Sequence, residues 1–382
     1  MGPLSGIKII EFAGIGPAPM AAMQLADLGA TVLRIDRREA SDLGVPRPHK
    51  YNLLLRNRSS IALDLKNPDS VELVLELIES ADALIEGFRP GVMERFGLGP
   101  DICLQRNPAL AYGRMTGWGQ SGPLAGAAGH DINYIALTGV LNAVGREGHP
   151  PTPPLALAGD FGGGAMFLVM GLLAAILHAK SSGQGQVVDA AIIDGAASLA
   201  TAFYGLHAAG LWSSERGTNI LDSGAPYYDS YECLDGKWIS IGPIENRFYR
   251  KLLEKLELDE KLLPLPSEKK NWAALKKVLT HTFKTRTQSA WCDLLEGTDV
   301  CFAPVLSFDE AAQHPHLQHR GTLIDIDGVT QPAPAPRFSV TPQSRPTPPS
   351  PVNDPGILDL WLTPDDARRF AHLITTCEAQ RT

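Results

Sequence analysis

Residues 7–35 read IKIIEFAGIGPAPMAAMQLADLGATVLRI. Ile7-Lys8-Ile9-Ile10-Glu11-Phe12 has the apolar density of a short buried strand, and Gly14 to Pro19 is a Gly/Pro turn. A helix is expected from about Met20 to Leu28, closed by Gly29, with Thr31-Val32-Leu33-Arg34-Ile35 as the next strand. Further on, Asn67 before Pro68 is a helix-start signal, and Val71, Val74, Leu75 and Ile78 form an apolar stripe. Ala83-Leu84-Ile85 reads as another strand. Strands alternating with helices in this rhythm predict a mostly parallel sheet covered by helices. Ligands of such sheets sit at the carboxyl ends of the strands. The turn Gly14-Ile15-Gly16-Pro17 fails the dinucleotide fingerprint, because Pro19 stands where its third glycine belongs. A turn that lets a ligand approach the backbone fits better.

Ala/Gly-rich helical sequence runs from about Gly162 to Ala179, and Val187-Val188-Asp189-Ala190 looks like a strand. A second Ala-rich helix is expected over about Gly195 to Ala209. From Tyr227 the character changes to short strands (Tyr228 to Cys233, Trp238 to Ile241) and then Lys/Leu/Glu helices. The fold class predicted is α/β: a large domain with a Rossmann-like, mostly parallel sheet, plus a smaller α+β domain. The expected boundaries are 1–187 with 330–382 for the large domain and 223–312 for the small one. A helical linker, 188–222, and a return linker, 313–329, join them. Prolines crowd Pro332 to Pro355, which predicts an extended strap. Thr363-Pro364-Asp365-Asp366 starts a last helix, with Thr as N-cap and acid in the first turn.

The chain has 382 residues, 44% of them hydrophobic, enough for a substantial core and two domains. Its net charge of −8 argues against a nucleic-acid or anionic-membrane partner. Between Arg34 and Arg58, however, seven basic residues stand against three acids. Six of the seven are arginine, the residue that holds phosphate bidentately, so an anion site is expected there. The five cysteines (Cys103, Cys233, Cys292, Cys301, Cys377) are scattered and form no C-x-x-C pair, which fits a reducing cytoplasm without a disulfide frame or zinc site. The cluster His314, His316, His319 is interrupted by Pro315, lacks an adjacent carboxylate or Cys, and reads as an exposed loop. The longest apolar run, Ala165 to Leu177, is too short to span a bilayer and reads as a buried helix.

Two segments carry the chemistry. Gly129-His130-Asp131 and Gly159-Asp160-Phe161-Gly162-Gly163-Gly164 each set one titratable side chain among small residues, where a substrate can come close. An imidazole and a carboxylate facing one carbon from opposite sides remove a proton and return it on the other face. Taken alone, Asp160 also reads as a helix N-cap, and Glu245 in Gly242-Pro243-Ile244-Glu245-Asn246 as a capping acid.

In these motifs and others the chain closely resembles the α-methylacyl-CoA racemases of the family III CoA-transferase superfamily. The others include Glu11-Phe12-Ala13-Gly14-Ile15-Gly16-Pro17, Leu55-Arg56-Asn57-Arg58, Leu84-Ile85-Glu86-Gly87-Phe88-Arg89-Pro90-Gly91 and Gly224-Ala225-Pro226-Tyr227-Tyr228-Asp229. The resemblance runs from Pro3 to about Arg337, leaving the tail uncovered. It implies that His130 and Asp160 are the opposing bases of a C2 epimerisation, that Glu245 orients His130, and that the backbone N–H of Asp131 is an oxyanion donor. It implies contacts to the CoA thioester from Arg37, Arg56, Lys66, Arg89 and Arg95, with Tyr228 as a hydrogen bonder lining the pocket. It also implies an interlocked homodimer whose sites take His130 and Asp160 from one chain and Glu245 from the other. No metal and no separate cofactor are called for, since CoA is carried as part of the substrate. An apolar surface including Ile15, Met20 and Met23 is expected to carry the acyl chain. The alternative is a family III CoA-transferase with Asp160 as nucleophile. Ala156 departs from the family's Pro-Leu-Asn pattern, removing an amide that would hydrogen-bond within the site.

Overall fold

A computed structural model describes residues 2–39, 44–350, 352–353 and 355–374. The chain forms two compact units: Met1–Thr138 with Leu155–Leu199 and Gly321–Thr382, and Gly139–Pro154 with Ala200–Arg320.

The first unit is built on six parallel strands: β1 (Lys8–Phe12), β2 (Thr31–Arg37), β3 (Ser59–Leu63), β4 (Ala83–Glu86), β5 (Ala111–Thr116) and β6 (Gln186–Ala191). Their order across the sheet is β3-β2-β1-β4-β5-β6. The chain therefore reverses direction between β1 and β4, the switch point at which such sheets open a crevice for ligands. The helix Pro17–Asp27 starts three residues earlier than expected, because Pro17 takes the first helical position. It packs onto the sheet through Leu25 and through Ala18, Ala21 and Ala22, small residues that bring the backbones close. The helix Pro68–Glu79 is capped as expected, with the Asn67 side chain accepting the Asp69 N–H at 3.0 Å.

Helical sequence over Leu157–Ser182 is continuous, opening with a π-helical segment, Leu157–Ala165, before the α-helix Met166–Ser182. At 26 residues it is longer than the apolar run suggested and, by length and composition, long and apolar enough to cross a membrane. It is not the buried helix expected over Ala165 to Leu177, since Met170 and Leu177 on it are exposed. Met166–Ser182 lies along β5 and β6 as a layer of the sheet. The second Ala-rich helix is two, Ile192–Leu199 and Thr201–Ala208, and the units divide at that break.

The proline-dense segment is extended but not free. Thr347 N–H donates to Asn57 Oδ1 at 2.7 Å, and Ala62 N–H to Asn353 Oδ1 at 2.8 Å, so the strap covers the edge of β3. It leads to the last helix, Pro364–Ile374, which buries Phe370, Leu373 and Ile374 in the sheet's core. Residues read as a return linker form the helix Pro315–Arg320 and the first strand of a hairpin, Leu323–Ile326 with Val329–Pro332, turned by Asp327-Gly328 with both residues at positive φ.

The second unit has a three-stranded antiparallel sheet, Asp229–Glu232, Trp238–Ile241 and Phe302–Val305, with helices Asn246–Lys255, Trp272–Phe283 and Gln288–Leu295. Its core centres on Trp291, whose indole N–H donates to the Phe283 carbonyl at 2.8 Å. Residues 139–154 join it through Arg146, which pairs with Asp229 at 2.9 Å.

Candidate active site

His130 stands before the helix Asp131–Leu137 with extended backbone, its N–H held by Asn133 Oδ1 at 3.0 Å and its side chain exposed. Tyr134 pins this loop from beneath. Its hydroxyl donates to the Gly129 carbonyl, and its ring meets Trp118 edge-on at 4.8 Å. A Cβ on Gly117 would lie 2.0 Å from that ring and one on Gly129 2.8 Å, so both glycines are where the tyrosine needs space.

Asp160 is not a helix N-cap. It lies inside the π-helical segment, where Phe161 N–H donates five residues back to the Ala156 carbonyl at 3.0 Å. Gly163 and Gly195 bring this segment backbone-to-backbone with Ile192–Leu199, since a Cβ on Gly195 would sit 1.8 Å from Gly163 O. The turn after β1 comes equally close: a Cβ on Gly16, at φ 68°, would lie 2.8 Å from Asp160 Oδ2. Burial, then the neighbouring Asp131 carboxylate, pushes the Asp160 carboxyl up to about 6, with His130 opposing. A carboxyl so placed both holds and releases a proton near neutrality. Ala156 contributes only backbone here and brings no amide to Asp160.

The carboxyl edge of the sheet collects most of the expected thioester contacts. Ile15 follows β1, Arg37 ends β2, Lys66 follows β3, and Arg89 and Arg95 follow β4; all five side chains are exposed. Arg89 acts electrostatically on Tyr134, whose phenol is raised first by burial and then by Asp160, with Arg89 opposing. A role for Glu86 was not visible in the sequence. It is fully buried at the end of β4, where it accepts the Phe88 N–H at 2.7 Å and Arg114 Nε at 2.9 Å, so it fixes the turn that carries Arg89. Burial pushes its carboxyl up to about 7.

Other expectations are corrected. Arg56 is 3% exposed and precedes β3 rather than following it. Its guanidinium fork closes on Asp27 at 2.5 and 3.1 Å, and Nη1 donates to Gln331 and the Pro332 carbonyl. Arg58 pairs with buried Glu11 at 2.5 Å and Arg34 with Asp36 at 2.9 Å. Three of the seven basic residues are thus neutralised inside the fold, two of them by acids, Asp27 and Glu11, that lie outside 34–58. Met23 is buried and Met20 packs against the same core, so of the three residues expected at the acyl surface only Ile15 is open. The expected histidine loop is helical, and His314 pairs with Glu296 at 2.8 Å. Among the described residues no three metal-ligating side chains converge.

The structure brings together His130, Asp131 and Asp160 in the first unit. Glu245 and Tyr228 belong to the second. Glu245 precedes the helix Asn246–Lys255 with its side chain exposed, and Tyr228 is 37% exposed beside Gly242.

The sequence profile of CoA-transferase family III matches residues 4–356, which extends well past Arg337. The mouse protein named alpha-methylacyl-CoA racemase is 41% identical over 93% of this chain and 90% of its own length. The human protein of that name is also 41% identical, over 89% and 87%. Human succinyl-CoA:glutarate CoA-transferase is 26% identical over 91% and 83%. A crystal structure of a CAIB/BAIF family protein from Brucella suis superposes with a TM-score of 0.79 at 25% identity, covering 94% of this chain and 98% of that one. The chain belongs to CoA-transferase family III.

Proposed function

We propose that this protein is an isomerase that interconverts the C2 epimers of 2-methylacyl-CoA thioesters by 1,1-proton transfer. Relatives at 41% identity carrying the racemase name support the reading. The observation that carries it is the pairing of exposed His130 with a half-buried carboxyl, Asp160, whose pKa is about 6.

In one direction neutral His130 takes the C2 proton of the S epimer while protonated Asp160 gives one to the opposite face. In the other, ionised Asp160 takes the proton of the R epimer and protonated His130 returns one. Between the two lies an enolate whose negative charge develops on the thioester oxygen. The backbone N–H of Asp131, the first of its helix and so without a partner in that helix, is the proposed donor to that oxygen. A donor of this kind contributes about 3–4 kcal/mol when it is aimed at the developing charge in a dry site. Arg37, Lys66, Arg89 and Arg95 are the proposed CoA contacts, supplying binding energy remote from the reacting carbon. Glu245 enters from a second copy of the chain, Tyr228 lines the pocket as a hydrogen bonder, and no metal or separate cofactor is called for.

The family's other activity gives a second reading, supported by relatives such as succinyl-CoA:glutarate CoA-transferase. There the Asp160 carboxylate would attack the thioester carbonyl and expel CoA as its thiolate, leaving an acyl-aspartyl mixed anhydride, and the imidazole would have no task. Incubation of each epimer of a 2-methylacyl-CoA in D2O separates the two. Deuterium at C2 from both epimers is expected. CoA exchange onto a free acid without C2 label would replace the racemase reading by the transferase one.

A further inference from the structure

We infer that the Asp131 side chain is a positioning residue that ties the two bases to each other. This rests on the epimerase reading for its meaning, but on separate contacts for its content. Asp131 Oδ1 accepts the backbone N–H of Asp160 at 2.7 Å across 29 positions of sequence. Asp160 is the fourth residue of its helix, so that N–H has no carbonyl within the helix to bond. Asp131 supplies the missing acceptor from another element. Gly159 makes room for it, because a Cβ there would lie 2.2 Å from the same Oδ1 and 2.9 Å from Ile135. Asp131 is also joined by one peptide bond to His130, whose backbone is itself locked to Asn133. One residue therefore holds His130 through the chain and Asp160 through a charged hydrogen bond, which fixes the separation of two groups that must address one carbon.

The same carboxylate sets a negative charge beside Asp160. The charges acting on Asp160 are those of Asp131 and His130. Other ionisable groups on the elements packed against it are Tyr134, Tyr112 and Arg114 on β5, Asp189 on β6, Asp194 on Ile192–Leu199, Asp27 on Pro17–Asp27, and His178 and Lys180 on Met166–Ser182.

Asp131→Asn and Asp131→Ala separate the two effects. Asn retains an Oδ1 acceptor and loses the charge; Ala loses both. Infrared difference titration of the Asp160 carboxyl, with Asp160→Asn as the blank, is expected to give a lower midpoint in Asp131→Asn than in the parent protein. At pH 6 the ionised fraction then rises. An unchanged midpoint overturns the electrostatic half. Hydrogen exchange at the Asp160 amide is expected to quicken at least tenfold in Asp131→Ala and to stay near the parent rate in Asp131→Asn. Equal protection in all three overturns the positioning half. Both readouts stand even if the parent protein gives no C2 exchange, an outcome that would sink the function and leave the inference decided. Where exchange is seen, Asp131→Ala is expected to lose at least tenfold in kcat with KM within about twofold, and an unchanged kcat counts against the inference.

Discussion

Asp160 illustrates how one residue sets activity against stability. Its carboxyl is raised from 3.8 to about 6 by burial and by Asp131. A carboxyl with a folded pKa above its unfolded value stabilises the fold fully below the unfolded value. That contribution is lost as pH rises through about 6. Above pH 6 the ionised group therefore weighs on the native state. The full displacement corresponds to about 3 kcal/mol, and solvent reaching the carboxyl reduces this to about 1–2 kcal/mol. Asp160→Asn is expected to melt above the parent protein at pH 8 and level with it at about pH 3, below the unfolded value. It should lose about 10²–10⁴-fold in C2 exchange. Calorimetry at the two pH values checks this, and equal melting temperatures at pH 8 would count against it. His130 and Asp160 were legible as candidates because small residues flank each of them. The contact between Asp131 and Asp160 was not, since it follows no local periodicity. Gly117, Gly129 and Gly159 did mark the close approaches, but a glycine does not say what fills the space it leaves.

Among the elements, β1, β2 and β4 were legible because their apolar runs are continuous. The run Ala111-Tyr112-Gly113-Arg114-Met115-Thr116 hid β5, as it places Gly and Arg in mid-strand. Arg114 is tolerated there because Glu86 and Glu94 meet it at 2.9 and 2.8 Å. The two serines that open β3 obscured it in the same way. Arg56 shows the reverse error, in which a correct motif misleads about placement. Its ion pair ties the segment before β3 to the end of the helix Pro17–Asp27. Removing one partner of a buried pair leaves the other charge uncompensated, at a cost of about 3–5 kcal/mol. Arg56→Ala is therefore expected to lower the denaturation midpoint strongly. Arg89→Ala should leave the midpoint within experimental scatter and raise KM for the thioester. Urea titrations beside steady-state kinetics distinguish the two. An Arg56→Ala protein of parental stability with a raised KM would restore Arg56 to the ligand face.

At the scale of the whole molecule, the sequence separated an α/β part from an α+β part. It did not show that Gly139–Pro154 belongs with the latter, because that follows from the long-range pair of Arg146 and Asp229. It also did not show how much apolar surface one chain leaves uncovered. Met170 is 59% exposed and Leu177 73% exposed on the apolar helix Met166–Ser182. Leu155, Leu157 and Leu199 in the same unit are likewise open. An apolar surface of this kind marks an interaction site. A second copy covering it agrees with the proposed supply of Glu245 from the partner. The protein is accordingly expected to sediment at twice the 41.0 kDa mass of the chain. Met170→Glu with Leu177→Glu places two charges on that face without touching His130, Asp131 or Asp160. The double variant should shift towards the single-chain mass and lose C2 exchange in proportion, while its circular dichroism keeps the parent's helical signal. Full exchange activity from a species sedimenting as one chain would show that each chain works alone and that Glu245 acts within it or not at all.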